Sequence, residues 1–341
     1  MDAFLSARFE STLGLAALPY FELREGRLRL ADPALGPIFD AHTHLALTYG
    51  RRRSVDLRAA TERTEHYLPV ACPVDLDVYA SRNFAPVDLR RMRRDLTLHS
   101  ITRGGMRRSH SAPNLLREMA EMGVAGAALL PIDLPVLSHN AEAYLEVAAS
   151  CAKLVAFGSV HPFARDPAAR LEHQKAAGAR GVKLHPAVQL VPPDHARALG
   201  VYRVCAELGL PVLLHCGPVG IEPRLGRYLS QVKHYWAAVR ECPQTTFILA
   251  HAGALQVEMG IELCRRYPNV YLELASQSLG GVRRVLAEAP EGRVLFGSDW
   301  PFYHQAISLA KVLLATEGQP ETRRRVLWEN ATRLLGVRAP P

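Results

Sequence analysis

The 341-residue sequence contains no run of about 20 uninterrupted apolar residues, the length a membrane-spanning helix needs, so no such helix is expected. Its start lacks a basic stretch followed by an apolar one, and the expected location is the cytoplasm. Cysteine is sparse: Cys72, Cys151, Cys205, Cys216, Cys242 and Cys264 form no CxxC pair, which fits reduced thiols and argues against a disulfide framework. Neither a GxSxG elbow, nor a P-loop, nor a GxGxxG after an apolar run is present, so those hydrolase and nucleotide-binding signatures are excluded. Internal repeats and low-complexity tracts are missing as well.

Lysine is scarce too, at five of the 41 basic residues, which stand against 33 acidic ones for a formal net charge of +8. A positive balance raises nucleic acid, an anionic surface or acidic substrates as partners. The densest basic stretch, Arg51-Arg52-Arg53 through Arg103 and Arg107-Arg108, carries no nucleic-acid-binding motif. It reads as a solvated face, and neither nucleic acid nor a membrane is the expected partner. What is abundant is apolar: 48% hydrophobic against 22% charged residues describes a globular chain with a sizeable core.

Short apolar runs recur at 38–42, 124–130, 154–160, 181–185, 211–215, 246–251, 270–274 and 294–297. Amphipathic stretches follow them in turn at 112–122, 139–152, 167–178, 194–208, 226–241, 255–267, 279–289 and 304–316. Asp166-Pro167 and Pro193-Asp194 mark helix starts, and Gly123, Gly178 and Gly209 mark ends. Such alternation builds βαβ units and a parallel sheet. Eight of them read as an α/β fold, a distorted (β/α)8 TIM barrel over residues 38–336. Residues 1–37 form an expected N-terminal extension with a hairpin around Glu25-Gly26. Residues 45–111 far exceed the roughly 2 to 6 residues usual for a βα loop, so they are expected to form an insertion or lid over the site.

In such a barrel the C-terminal strand ends carry the chemistry. The first run leads into His42-Thr43-His44, and two histidines one residue apart share a strand face and can reach one ion. The fifth run ends in His215, the sixth in His251, and Asp299 lies just past the eighth. Nitrogen and carboxylate donors gathered on one rim suit Zn²⁺ or a similar divalent ion. Lys183 is costly in a buried strand unless paired or neutralised, and His185 shares its face. Cys216, next to His215, points to the opposite face and is expected to pack against a helix. Further rim positions are His161, Ser276, Tyr303, His304, and the arginines of 103–108 and of the loop 217–224, where a guanidinium fork could meet a carboxylate or phosphate.

Together these motifs resemble the amidohydrolase superfamily, and most closely its amidohydrolase-related branch, which includes aminocarboxymuconate semialdehyde decarboxylase-like enzymes. The resemblance rests on the histidines and aspartate above and on two phrases, Gly181-Val182-Lys183-Leu184-His185-Pro186 and Phe296-Gly297-Ser298-Asp299-Trp300-Pro301. It spans about Ile38 to Gly336. It implies that His42, His44 and His215 ligate a metal while Asp299 completes the site and contacts the bound water. A divalent ion lowers the pKa of its water to about 7, and a nearby carboxylate can take and return the proton. In mononuclear relatives the histidine equivalent to His251 stays off the metal and acts on the substrate, whereas in binuclear ones it binds a second ion; the catalytic role is the one expected here. Some members carboxylate a strand-four lysine to bridge two metals. Lys183 is therefore either such a bridge or an ammonium facing Asp299 or a substrate carboxylate, with His185 a further candidate for a second metal or for substrate.

The expected activity is that of a metal-dependent hydrolase, in which activated water attacks an amide, lactone or related ester carbon of a small molecule, anionic substrates included. Zinc is the expected ion, one per chain, or two with a carboxylated Lys183. The alternative is a non-oxidative decarboxylase of an aromatic or unsaturated carboxylic acid. A third reading is a non-enzymatic binding protein that uses the arginine-rich insertion. A homo-oligomer is compatible with all three.

Overall fold

The computed structural model describes residues 7–32, 35–50, 54–135 and 137–337, so Arg51-Arg52-Arg53 lie outside the described residues. Short aliphatic runs, mostly buried along their length, form the parallel strands β1 (Ile38–Thr43), β2 (Val124–Leu129), β3 (Leu154–Ala156), β4 (Val182–Leu184), β5 (Val212–His215), β6 (Phe247–Ala250), β7 (Val270–Glu273) and β8 (Val294–Leu295). They pair in chain order, β1 to β3 in one arc and β4 to β8 in another. Single parallel bridges, Gly158 to Val182 and Thr43 to Trp300, join the two arcs into a distorted TIM barrel. Helices α1 (Ala112–Glu121), α2 (Asn140–Ala149), α3 (Pro167–Ala176), α4 (Ala196–Glu207), α5 (Tyr235–Glu241), α6 (Val257–Arg266), α7 (Leu279–Glu288) and α8 (Gln305–Ala315) follow the strands in turn.

Phe39, Ala41, Ala128, Leu130, Leu213 and Ile248 cluster with Ala331 and Leu335 from the C-terminal helix, and Trp328 lies edge-on against Phe39. This packing plugs one end of the barrel and leaves the C-terminal strand ends for polar groups. A larger apolar layer lies between strands and helices and includes Cys216, so that thiol faces away from the site as its alternation with His215 requires. Burial pushes the Cys216 thiol far up, which disqualifies it as a nucleophile.

Local signals set most boundaries. The Asp166 side chain accepts the Ala169 N–H at 3.0 Å and Pro167 opens α3, while Gly178 ends it at φ +99°. At α4 the expected start is displaced: His195, not Asp194, caps the helix by accepting the Arg197 N–H at 3.1 Å. The single helix expected over 226–241 is broken into Arg224–Leu229, a turn at Val232–His234, and α5. Ser230 lies in the break, and its carbonyl is taken by the Gly217 N–H at 2.8 Å. The expected hairpin pairs Phe21–Arg24 with Arg27–Leu30, with Glu25 and Gly26 both at positive φ.

The segment 45–111 has structure of its own, including a helix at Pro86–Thr97. Its short strand Val74–Asp75 pairs with Arg8–Phe9. Backbone hydrogen bonds tie it to the strand ends: Tyr67 to Pro301 at 3.1 Å, Leu68 to Phe302 at 2.9 Å and Ala80 to Ser276 at 2.8 Å. Among the described residues no helix is long and apolar enough to cross a membrane.

Candidate metal centre

Phe39 and Ala41 belong to the barrel interior, and the register of β1 against β2 is irregular between Asp40 and Thr43. Beyond Ala41, His42 and His44 converge until their Nε2 atoms lie 3.2 Å apart. The His44 Nδ1 sits 2.6 Å from the Leu130 carbonyl, which only accepts, so Nδ1 carries the proton and Nε2 is a bare lone pair. His42 Nδ1 lies 2.7 Å from Glu273 Oε2, and when Glu273 is ionised it accepts the Nδ1 proton and leaves the His42 Nε2 bare in the same way. Burial holds both imidazoles far below their ordinary pKa, His44 at about 3, so both are neutral near pH 7. Two lone pairs thus face each other, an arrangement that a cation relieves.

The same reasoning runs through His251 and His215. His251 Nδ1 donates to the Ala275 carbonyl at 3.2 Å, so its Nε2 accepts from His215 Nδ1 at 3.1 Å. The proton on His215 Nδ1 leaves that residue's Nε2 bare. The structure therefore gives His251 an orienting hydrogen bond to His215, and burial pulls the His251 pKa to about 3. Asp299 Oδ1 lies 3.6 Å from His44 Nε2 and 3.7 Å from His42 Nε2. Donor atoms 3.2 to 3.7 Å apart fit around one ion whose N and O ligands lie at about 2.0 to 2.2 Å. Among the described residues, two groupings bring their donor atoms within 4.8 Å of one another: His42, His44 and Asp299, and His42, His251 and Glu273. His215 lies outside both and joins through His251.

Backbone strain concentrates here. Asp299 has φ +63°, Ser276 φ +66° and His251 φ +59°, left-handed conformations that side-chain-bearing residues adopt at a cost. Asp299 is pinned by its own N–H donating to the His42 carbonyl at 2.9 Å, and its Oδ2 accepts from the Ser276 hydroxyl at 3.3 Å. Burial raises the Asp299 carboxyl well above the usual range, and the Lys183 ammonium opposes that rise. Burial lowers Lys183 in turn.

Lys183 is 1% exposed, and among the described residues its Nζ has no hydrogen-bond partner. His185 stacks on His215 with ring centroids 3.9 Å apart, and its Nδ1 is also unpartnered. Other rim candidates are committed elsewhere. His161 uses both nitrogens on the Gln189 carbonyl and the Phe163 N–H, and His304 caps α8. Arg107 is buried against the carbonyls of His99 and Leu47 and the Thr48 hydroxyl, where it braces the insertion. Arg103, Arg108 and Arg224 are exposed.

Two participants were not among the sequence candidates. Glu273 ends β7 and accepts from the His42 imidazole and from the His251 N–H at 3.2 Å. A carboxylate closing an apolar run carries the same burial cost that singled out Lys183, so the signal was present. Tyr79, from the insertion, is buried and feels the Asp299 and Glu273 charges; nothing distinguishes it within that long segment.

Barrel and donor set define a metal-binding α/β-barrel enzyme. The amidohydrolase family model matches residues 39–337, and the chain belongs to that family. No curated protein sequence matches it. Among solved structures it is similar to an uncharacterised TIM-barrel protein of Bordetella bronchiseptica, at 19% identity and TM-score 0.63 over 88% of this chain and 99% of that one. A probable 2-pyrone-4,6-dicarboxylic acid hydrolase of Acinetobacter baumannii is similar at 14% identity and TM-score 0.54, over 88% of this chain and 100% of that one. A 5-carboxyvanillate decarboxylase of Novosphingobium aromaticivorans, complexed with manganese, is similar at 14% identity and TM-score 0.53, over 65% and 79%. At these identities the likeness is one of fold.

Proposed function

We propose that this enzyme is a metal-dependent hydrolase of amide, lactone or related ester bonds in small molecules. The observation that carries the reading is the facing pair of bare nitrogens, His42 Nε2 and His44 Nε2, with the Asp299 carboxylate beside them. His42, His44 and His215 would hold the ion and Asp299 would complete its shell; zinc suits this N₃O donor set. When bound, a divalent ion supplies Lewis-acid polarisation and a water of pKa about 7. Asp299 takes the proton of the attacking water and returns it to the leaving group. His251 accepts the His215 Nδ1 proton at its Nε2 and so fixes the ring of that ligand, which makes it a positioning residue in this reading. Lys183 remains an ammonium, and its unpartnered Nζ is where a substrate carboxylate is received.

That last feature also supports a second reading. A buried cation that waits for a carboxylate suits a non-oxidative decarboxylase, in which the carboxylate leaves as CO₂ and Asp299 delivers a proton to the carbon left behind. Incubating metal-loaded protein with lactones, amides and aromatic carboxylates separates the two. The hydrolase reading expects metal-dependent release of acid from a lactone or amide, and metal-dependent evolution of CO₂ from an aromatic acid would replace it with the second.

A further inference from the structure

The insertion brings one residue to the metal centre from outside the barrel strands. Tyr79 stands immediately before the short helical turn Ala80–Asn83, and the backbone on both sides of it is tied down. Ahead of it the Leu76 carbonyl accepts the Leu279 N–H at 2.7 Å. Behind it the Ala80 N–H donates to the Ser276 carbonyl at 2.8 Å, and the Ser81 hydroxyl donates to the Val219 carbonyl at 2.6 Å. The Asp75 N–H donates to Asn83 Oδ1 at 2.9 Å and closes the loop on itself. The stretch around Tyr79 is therefore a fixed wall, pinned to the chain that follows β5 and β7.

Tyr79 is 5% exposed, and among the described residues its buried Oη has no hydrogen-bond partner. The Ser276 hydroxyl bears on it, yet the Ser276 proton is spent on Asp299 Oδ2 at 3.3 Å and no bond to Tyr79 Oη forms. Burial raises the phenol well above its ordinary pKa, and the neighbouring Tyr303, Asp299 and Glu273 add to the rise, so Tyr79 keeps its proton at neutral pH. A buried donor without an acceptor costs stability, and a pinned loop that holds one beside Asp299 calls for a ligand oxygen to complete it. In the reading above, Lys183 Nζ receives a carboxylate and His251 Nε2 is occupied by His215. Tyr79 Oη is the donor left for a further substrate oxygen.

We propose that Tyr79 is a further catalytic residue of this centre, its hydroxyl donating a hydrogen bond, without giving up the proton, to the substrate oxygen on which negative charge develops as water attacks. A donor fixed in place before the reaction stabilises such charge without reorganising. The inference rests on the hydrolase reading and gives the insertion a part in the chemistry.

Tyr79→Phe keeps the ring and removes only the hydroxyl. Methylphosphonate, a tetrahedral anion that mimics the attacked carbon, is titrated calorimetrically into zinc-loaded wild type and variant, and the metal-free proteins are compared in urea. The expected result is saturable binding to the wild type, weakened about tenfold or more in the variant at equal zinc content, as for the loss of a hydrogen bond to a charged group. The urea midpoint of the metal-free variant should be no lower than that of the wild type, because no bond within the protein is lost. Equal affinity in the two proteins overturns the role of Tyr79 alone. An absence of binding to the wild type overturns it together with the hydrolase reading, and a metal-free variant less stable than the wild type overturns it by showing that the hydroxyl serves the fold.

Discussion

His42 Nδ1 and Glu273 Oε2 lie 2.7 Å apart, joining the end of β1 to the end of β7 across the barrel mouth. The contact fixes the tautomer of the metal-facing ring, and the Glu273 carboxylate is itself held by the amides of Ala275 and His251. Replacing Glu273 with Gln is therefore expected to weaken metal affinity by about 10 to 100-fold without removing a ligand. Competition against a chromophoric chelator measures this, and unchanged affinity would show that Glu273 has no part in the centre.

Metal uptake is expected to release protons. Burial pushes Glu273 up to about 8 and raises Asp299 in the metal-free protein, so both are partly protonated near neutrality. A dication favours their ionised forms. Affinity should then rise as pH climbs from 6 toward about 8 and level off above it. Calorimetry in buffers of different ionisation enthalpy counts the released protons; a count of zero at pH 7 contradicts the assignment.

Asp299→Asn is expected to retain bound metal, with reduced affinity, and to lose about 10² to 10⁴-fold in turnover, the usual span for a positioned acid and base. Turnover of the purified variant on whichever substrate the screen identifies, normalised to metal content, checks it.

Lys183→Met is expected to stabilise the metal-free protein by about 1 to 3 kcal/mol, because it removes a buried donor that has no acceptor. Metal stoichiometry should stay at one. Chemical denaturation and elemental analysis of the variant read the two effects. A fall in occupancy from two ions to one would instead mark Lys183 as a carboxylated bridge.

Lys311 gives a pH signature of its own. It is 1% exposed on α8, donates to the Gln277 carbonyl at 2.6 Å, and burial lowers it to about 7. The unfolded chain, with an ordinary lysine, binds more protons between pH 7 and about 10, so stability from this group rises across that window and is lost as pH falls back through it. Urea midpoints between pH 7 and 10 should climb more steeply for the wild type than for Lys311→Met.

The barrel was legible because each strand is a short apolar run bounded by turn residues, and because Asp166 and Gly178 state where α3 begins and ends. His42, His44, Asp299, His215 and His251 could be placed on one rim because strand ends share a rim in this fold. The tautomer chain from Ala275 through His251 to His215 was not legible, since it depends on which carbonyl a ring nitrogen meets. Tyr79 and the bracing role of Arg107 were hidden for a related reason. The insertion is positioned by long-range backbone hydrogen bonds, such as Ala80 to Ser276, that leave no periodic trace in sequence.

The account stands or falls on the facing nitrogens of His42 and His44. Elemental analysis of purified protein for Zn, Mn, Fe, Co and Ni, beside a His44→Ala variant, tests them most directly. One divalent ion per chain in the wild type and a marked loss in the variant is the predicted result. A wild type that takes up no metal after reconstitution, or a His44→Ala protein with full occupancy, would contradict it.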